Sequence, residues 1–158
     1  VVPYLVKDEG FVADAQGNSK PYYDAVGVLT DCFGNSGQGP YKVRLSLHRT
    51  KAECRTILAE EIERSYYGPL VARIPGFGSF PIPTQIATTR FAYNVGVEAT
   101  VKGSVGQLFA RGRLVEGCKA MLMYDKGTIN GKKVRIKGLT TRRQAEAKQC
   151  LEGAAQHD

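Results

Sequence analysis

Residues 8–30 read DEGFVADAQGNSKPYYDAVGVLT. The stretch opens on a carboxylate, Glu9, followed at once by the helix stop Gly10, and closes on a β-rich run, YYDAVGVLT (22–30), that carries Asp24 and Thr30. Residues 1–10 are expected to form a short helix, with Pro3 tolerated in its first turn. Glu9 then stands at the partially negative end of that helix, which disfavours its ionised form, whereas Asp24, on a more open hairpin, stays charged. Glycoside hydrolysis uses this asymmetry: a protonated carboxyl donates to the leaving oxygen, and an ionised one organises water or attacks carbon. Each residue also has an ordinary explanation. Asp8 and Glu9 suit a solvated helix end, Asp24 suits a turn and Thr30 suits a strand through its β-branch. Only the joint spacing of Glu9, Asp24 and Thr30 favours chemistry.

Working outward, KVRLSLH (42–48) alternates Val43, Leu45 and Leu47 with polar neighbours and predicts a further strand, joined through the Gly-rich NSGQGP (35–40). Thr50-Lys-Ala-Glu53 is a capping box opening a helix whose apolar face is Cys54, Ile57, Leu58, Ile62 and Tyr66, ended by Gly68 and Pro69. ARIPGFGSFPIP (72–83) is hostile to helix and predicts a loop. Beyond it helices are expected over 84–95, 103–111 and 113–124, with a turn or hairpin at GTINGKK (127–133). A last helix is expected from a second capping box, Thr141-Arg-Arg-Gln144, to Gly153, followed by a loose tail. Sheet elements followed by helices make an α+β domain.

At 158 residues, 42% hydrophobic and 23% charged, the chain suits one folded domain and neither a disordered segment nor a fibre. No apolar run approaches membrane-spanning length, and no basic flank with an apolar core marks a leader. The first residue is Val, as expected of a processed product or an excised domain. A net charge of +7 favours an anionic polymer as partner, cell wall or nucleic acid alike, although a plain basic protein would read the same way. Cys32, Cys54, Cys118 and Cys150 lack CxxC spacing, which argues against zinc. They permit three full pairings, of which Cys32–Cys54 with Cys118–Cys150 keeps each bridge within one predicted lobe; free buried thiols are the alternative. His48 and His157 are too few and too distant for a metal cluster, and neither a G-x-S-x-G nor a Walker pattern is present.

The order Glu9, Asp24-AVGVL-Thr30, Cys32, Gly34 resembles the phage-type lysozymes, the muramidases of glycoside hydrolase family 24. FAYNVGVEA (91–99) is similar to that family's Phe-Asn-x-Gly helix, and GLTTRRQAEAKQCLEG (138–153) to its Gly-Leu-x-x-Arg-Arg-x-x-Glu ending. Three blocks in family order carry far more weight than any one of them. Two departures stand out. Glu9 and Asp24 are separated by 14 residues where the family has about eight, an insertion around GNSKP (17–21). Ser36 stands where the family has a second threonine.

The resemblance implies a two-lobed lysozyme-like fold with a cleft between a sheet lobe (about 11–68) and a helical lobe (about 1–10 and 69–153). The family's long linking helix is expected to be interrupted at 72–83. By resemblance Glu9 is the general acid, and Asp24 and Thr30 hold the water that attacks the anomeric carbon with inversion, which calls for carboxyls about 6.5–9.5 Å apart. Asn94 is expected to face the saccharide, and an arginine of the last block, Arg142 over Arg143, to hold the acid or the sugar. Tyr23 is a stacking candidate, as are Tyr22 and Phe33, although such aromatics also serve as core. No cofactor or metal is implied. The expected partner is peptidoglycan glycan strands rather than nucleic acid, cut by a monomer at the β-1,4 bond between N-acetylmuramic acid and N-acetylglucosamine. The expected place is the host periplasm or cell wall, for a free endolysin or a virion-associated lysin alike. The rivals are a lytic transglycosylase, which has no need to place water, and a basic module that binds wall or nucleic acid without cutting.

Overall fold

The computed structural model describes residues 1–157, which fall into two compact units, Val1–Ser65 and Tyr66 onward. In the first, α1 (Val2–Glu9) stops at Gly10 as expected and is anchored by the fully buried Leu5. α1 groups with residues 11–65 rather than with the helical unit to which the sequence reading assigned it. β1 (Tyr22–Tyr23) and β2 (Leu29–Thr30) form a minimal antiparallel ladder with Tyr22 opposite Thr30 and Tyr23 opposite Leu29.

The strand expected at KVRLSLH does not form. Residues 42–48 are irregular, Leu47 N–H bonds back to Arg44 C=O in a turn, and Leu45 and Leu47 are exposed. Alternation alone cannot make a strand where no partner accepts its backbone bonds and no core takes its apolar face. What organises this region is polar. Asp31, fully buried, pairs with Arg49 and accepts from Asn35 Nδ2 at 2.8 Å, while Arg49 Nη2 donates to Lys42 C=O at 2.9 Å.

α2 (Lys51–Ile62) starts on the expected capping box: Thr50 Oγ1 accepts from Glu53 N–H at 3.1 Å and Glu53 Oε1 accepts from Thr50 N–H at 3.3 Å. Its buried side chains are Cys54, Ile57, Leu58 and Ile62, and Cys54 is bridged to Cys32, the first of the two expected disulfides. Gly68 and Pro69 do not end the helical backbone. Glu63–Tyr67 take π-helical geometry and α3 (Gly68–Arg73) follows directly. A π turn shifts the hydrogen-bond register just where Pro69 lacks its N–H and would crowd the preceding carbonyl, so the proline is passed at the start of α3 instead of stopping the chain.

The second unit holds α4 (Ile82–Val95), α5 (Val97–Lys102), α6 (Ser104–Ala110), α7 (Leu114–Ala120), the hairpin β3 (Lys126–Ile129) and β4 (Lys132–Arg135), and α8 (Lys137–His157). α5 was not anticipated. The loop at residues 74–81, with its 3-10 turn Phe77–Ser79, was. The core gathers Phe77, Phe80, Phe91 and Phe109 with Leu70, Leu114 and Met121, and α7 is bridged to α8 by Cys118–Cys150, the second expected disulfide. α4 and α8 approach closely at Gly153, where a Cβ would meet Thr84 Oγ1 at 2.6 Å and Pro81 Cβ at 2.8 Å.

α8 begins one turn before the expected cap. Thr141 Oγ1 bonds to Lys137 C=O at 3.1 Å and Thr140 Oγ1 to Asp125 Oδ2 at 3.0 Å, so neither hydroxyl is free to cap, and the helix continues past Gly153 to His157. Residues 154–157 of the expected tail are thus helical, and Asp158 lies outside the described residues. The β3–β4 turn is Asn130-Gly131 with φ 51° and 76°, the left-handed pair a two-residue hairpin demands. Among the described residues no helix is long and apolar enough to cross a membrane.

Candidate active site

Glu9 is the last residue of α1, half-buried, on a helix held by Leu5. Asp24 sits where the β1–β2 ladder gives way to its turn. Its Oδ1 accepts from Val26 N–H at 3.0 Å and Val28 N–H at 2.8 Å, and its own N–H donates to Val28 C=O at 2.9 Å. This Asx turn explains why an aspartate suits the position locally. Both side-chain bonds fall on Oδ1. Thr30 is buried, and its Oγ1 donates to Val28 C=O at 2.9 Å, so the hydroxyl proton is already committed and its lone pairs remain as acceptors.

Two observations relate these residues. Thr30 faces Tyr22 across the ladder, and Asp24 opens the turn that joins the two strands, held to Val28, which also accepts from Thr30. Tyr22 also senses both carboxylates: burial raises its phenol above the ordinary range, and the charges of Asp24, Glu9 and then Asp31 push it further in the same direction. Glu9 and Asp24, distant in sequence, therefore act on one phenol. Tyr23, by contrast, is opposite Leu29, on the other face, and is 62% exposed. Phe33 is buried against Phe11, ring centroids 5.1 Å apart, as a core residue.

Behind Thr30 lies a support that sequence reasoning missed. Asp31 holds Arg49 and Asn35 in the interior, and Ser19 Oγ accepts from Cys32 N–H at 2.7 Å while Ser19 N–H donates to Arg49 C=O at 2.7 Å. No local motif announces Asp31–Arg49, because the partners are 18 residues apart. His48 is not idle surface: its Nδ1 lies 2.7 Å from Asp14 Oδ2, and Asp14 Oδ1 caps the turn within the inserted stretch through Gln16 and Asn18 N–H.

In the second unit Asn94 is exposed, one residue from the end of α4. Arg142 and Arg143 lie in the second turn of α8. Arg143 is fully buried, with Nε 2.7 Å from Glu146 Oε1 and its guanidinium 5.1 Å from the Phe91 ring centroid. Arg142 Nε approaches the same carboxylate at 3.5 Å. Glu146, the glutamate that closes the Arg-Arg-x-x-Glu block, is the buried anion that gathers both, a role the sequence did not announce.

An α+β chain with one carboxylate ending a short helix and another at the turn of a small hairpin has the build expected of a lysozyme-like glycan hydrolase. The phage lysozyme family model matches residues 9–146. The SAR-endolysin of Pseudomonas phage phiKMV is 36% identical over 149 residues, 94% of this chain and 88% of that protein. The SAR-endolysin of Bacteriophage PS119 is 31% identical over 136 residues, covering 85% and 74%. Among solved structures, an endolysin from Escherichia coli O157:H7 phage FAHEc1 matches with a TM-score of 0.79 at 23% identity, over 96% of this chain and 90% of that one. The active form of the P1 phage endolysin Lyz matches at 0.74 and 23%, over 96% and 83%; at such identities the likeness is one of fold. The chain belongs to the phage lysozyme family, and its activity is that of a peptidoglycan-degrading muramidase.

Proposed function

We propose that this chain hydrolyses the β-1,4 bond between N-acetylmuramic acid and N-acetylglucosamine with inversion, and that Glu9, Asp24 and Thr30 carry the reaction. The observation that supports this most directly is the shared action of Glu9 and Asp24 on Tyr22, the residue facing Thr30. Glu9 gives its proton to the leaving oxygen. Asp24 Oδ1 is spent on the turn, so Oδ2 takes one proton of the attacking water as the bond to carbon forms, while Thr30 Oγ1, having donated its own hydrogen to Val28, accepts a hydrogen bond from the other, which stays on the new hydroxyl. A water that donates both hydrogens this way presents a lone pair to the anomeric carbon, on the face opposite the leaving group. Asn94, Arg142 and Tyr23 are assigned to saccharide contact. No cofactor takes part, and the enzyme works as a monomer.

The relatives' name, endolysin, supports a role in phage lysis of the host, with the cell wall as the place of action. The test is Glu9→Gln. The variant is expected to stop clearing chloroform-treated cells while still sedimenting with purified wall, and unchanged clearing would remove Glu9 from the mechanism. Mass spectrometry of the wild-type digest is expected to find reducing N-acetylmuramic acid ends. Anhydro ends, lighter by one water or about 18 Da, would identify a lytic transglycosylase instead.

A further inference from the structure

The β3–β4 hairpin carries a concentration of charge and exposed aliphatics that the hydrolysis does not use. Between Lys126 and Lys137 stand five exposed cations, Lys126, Lys132, Lys133, Arg135 and Lys137, and no acidic residue occurs from 126 to 145. The chain's whole net charge is +7, so the hairpin and the first residue of α8 together account for most of the imbalance. The ladder register, Lys126 opposite Arg135 and Thr128 opposite Lys133, places those three cations on one face. Arg135 also pairs with the buried Asp125 at 3.1 Å, which pins the base of the hairpin to the helical unit. The opposite face holds Ile129 and Val134, 53% and 37% exposed, together with Lys132, and beside the cationic face Met123 is 65% exposed. A shallow concavity there is lined by Met123, Tyr124, Lys126, Gly127, Thr128 and Lys133, without a carboxylate.

We propose that the β3–β4 hairpin is a docking surface for an anionic phospholipid bilayer. Its two faces differ, cations on one and exposed aliphatics with Lys132 on the other, as in an amphipathic element that lies in a membrane interface, and each kind of group has its own reason. Lysines clustered without counter-charge are drawn to phosphate headgroups, each adding attraction near an anionic surface. Cations alone would serve any polyanion equally well. The exposed Ile129, Val134 and Met123 have no use on a polyanion in water, but they can enter the headgroup boundary once lysines with flexible stems hold the hairpin there. Among the described residues no third strand pairs with the β3–β4 ladder. Docking of this kind would hold the enzyme beside the envelope whose wall it cuts.

The experiment uses the full chain and sedimentation with vesicles of phosphatidylglycerol and phosphatidylethanolamine, or of phosphatidylcholine alone, at about 0.1 M salt, where exposed charges still act over roughly 10 Å. The wild type is expected to sediment with the first and not the second. Lys132→Ala with Lys133→Ala is expected to weaken binding on the order of 25-fold, about fivefold per cation. Ile129→Ser with Val134→Ser is expected to weaken it about tenfold. Arg111→Ala with Lys119→Ala, which removes two exposed cations from elsewhere on the helical unit, is expected to change little. Turnover of soluble glycan fragments, unchanged in all three, shows that the variants fold. Failure of the wild type to bind phosphatidylglycerol vesicles overturns the proposal. So does a serine variant that binds as the wild type does, which would leave a polyanion surface only, and so does an equal loss in the Arg111 and Lys119 variant.

Discussion

Thr30 stands directly opposite Tyr22 in the β1–β2 ladder, and the hydroxyl of Thr30 donates to Val28, the residue whose N–H is held by Asp24. One hairpin turn thus sets the orientation of both groups assigned to the water. The turn's hydrogen bonds and the proposed chemistry share Asp24 but use different oxygens, so they can be separated by mutation.

Asp24→Asn keeps an Oδ1 acceptor for Val26 and Val28 while removing the charge. The expected loss is at least about 100-fold in kcat, with stability changed by no more than about 0.5 kcal/mol. Asp24→Ala is expected to cost a further ~1 kcal/mol in urea denaturation because the two turn N–H groups lose their acceptor. Equal kcat in wild type and Asp24→Asn would remove the carboxylate from the reaction.

Asp31→Ala strands Arg49 in the interior with only part of its hydrogen bonding. Breaking one side of a buried pair costs about 3–5 kcal/mol, far more than an exposed pair would. Urea denaturation should show that loss; a cost near 0.5 kcal/mol would mean that the region repacks around Arg49.

At Gly153 two effects of alanine compete. Helix propensity gains about 1 kcal/mol. Against it, the new Cβ meets Thr84 Oγ1 at 2.6 Å, Pro81 Cβ at 2.8 Å and Thr84 N at 3.1 Å, and neither a proline ring nor backbone can yield cheaply. Overpacking of this kind costs about 1–3 kcal/mol. Gly153→Ala is therefore expected to lower the melting temperature, and a rise would show that α4 and α8 separate without penalty.

The disulfides join residues 22 and 32 apart in sequence. Loop-closure entropy gives each about 3–4 kcal/mol of stabilisation through the unfolded chain. Removing Cys118–Cys150 with paired serines is expected to lower the urea midpoint by the larger of two similar amounts.

Asp14 binds its proton less readily in the folded chain, chiefly through its hydrogen bond with His48 and also through the turn N–H groups of Asn18 and Gln16. A carboxyl lowered in this way contributes stability that is present above the ordinary carboxylate range and disappears as pH falls through the lowered value. Protection factors of the Gln16 and Asn18 amides, which discount the slower intrinsic exchange in acid, should accordingly be higher at neutral pH and fall as Asp14 takes up its proton. Asp14→Ala is expected to abolish the protection at neutral pH, and persistence of that protection would assign it to the backbone alone.

Several of these features were readable from residue order. The stop after Glu9, the reciprocal Thr50–Glu53 cap, the Asn130-Gly131 hairpin and the pairing of all four cysteines agree with the structure, because each rests on chemistry within a turn or on a partition of the chain. KVRLSLH failed for the converse reason: alternation is a local pattern, but a strand exists only if something pairs with it, and Leu45 was left exposed. The second capping box failed because Thr140 and Thr141 had other acceptors, reachable only once α8 had started a turn earlier.

By itself the sequence determined the family, the order of its blocks and the candidates Glu9, Asp24 and Thr30, since these follow from residue types at given spacings. Only the tertiary structure decided that Tyr22 rather than the adjacent Tyr23 shares a face with Thr30, that Asp31 is neutralised by Arg49, and that Glu146 is buried with Arg143. The physical reason is that register and burial are set by closure of the chain on itself: a one-residue slip reverses a strand's faces, and a charge enters the interior only where its partner arrives with it.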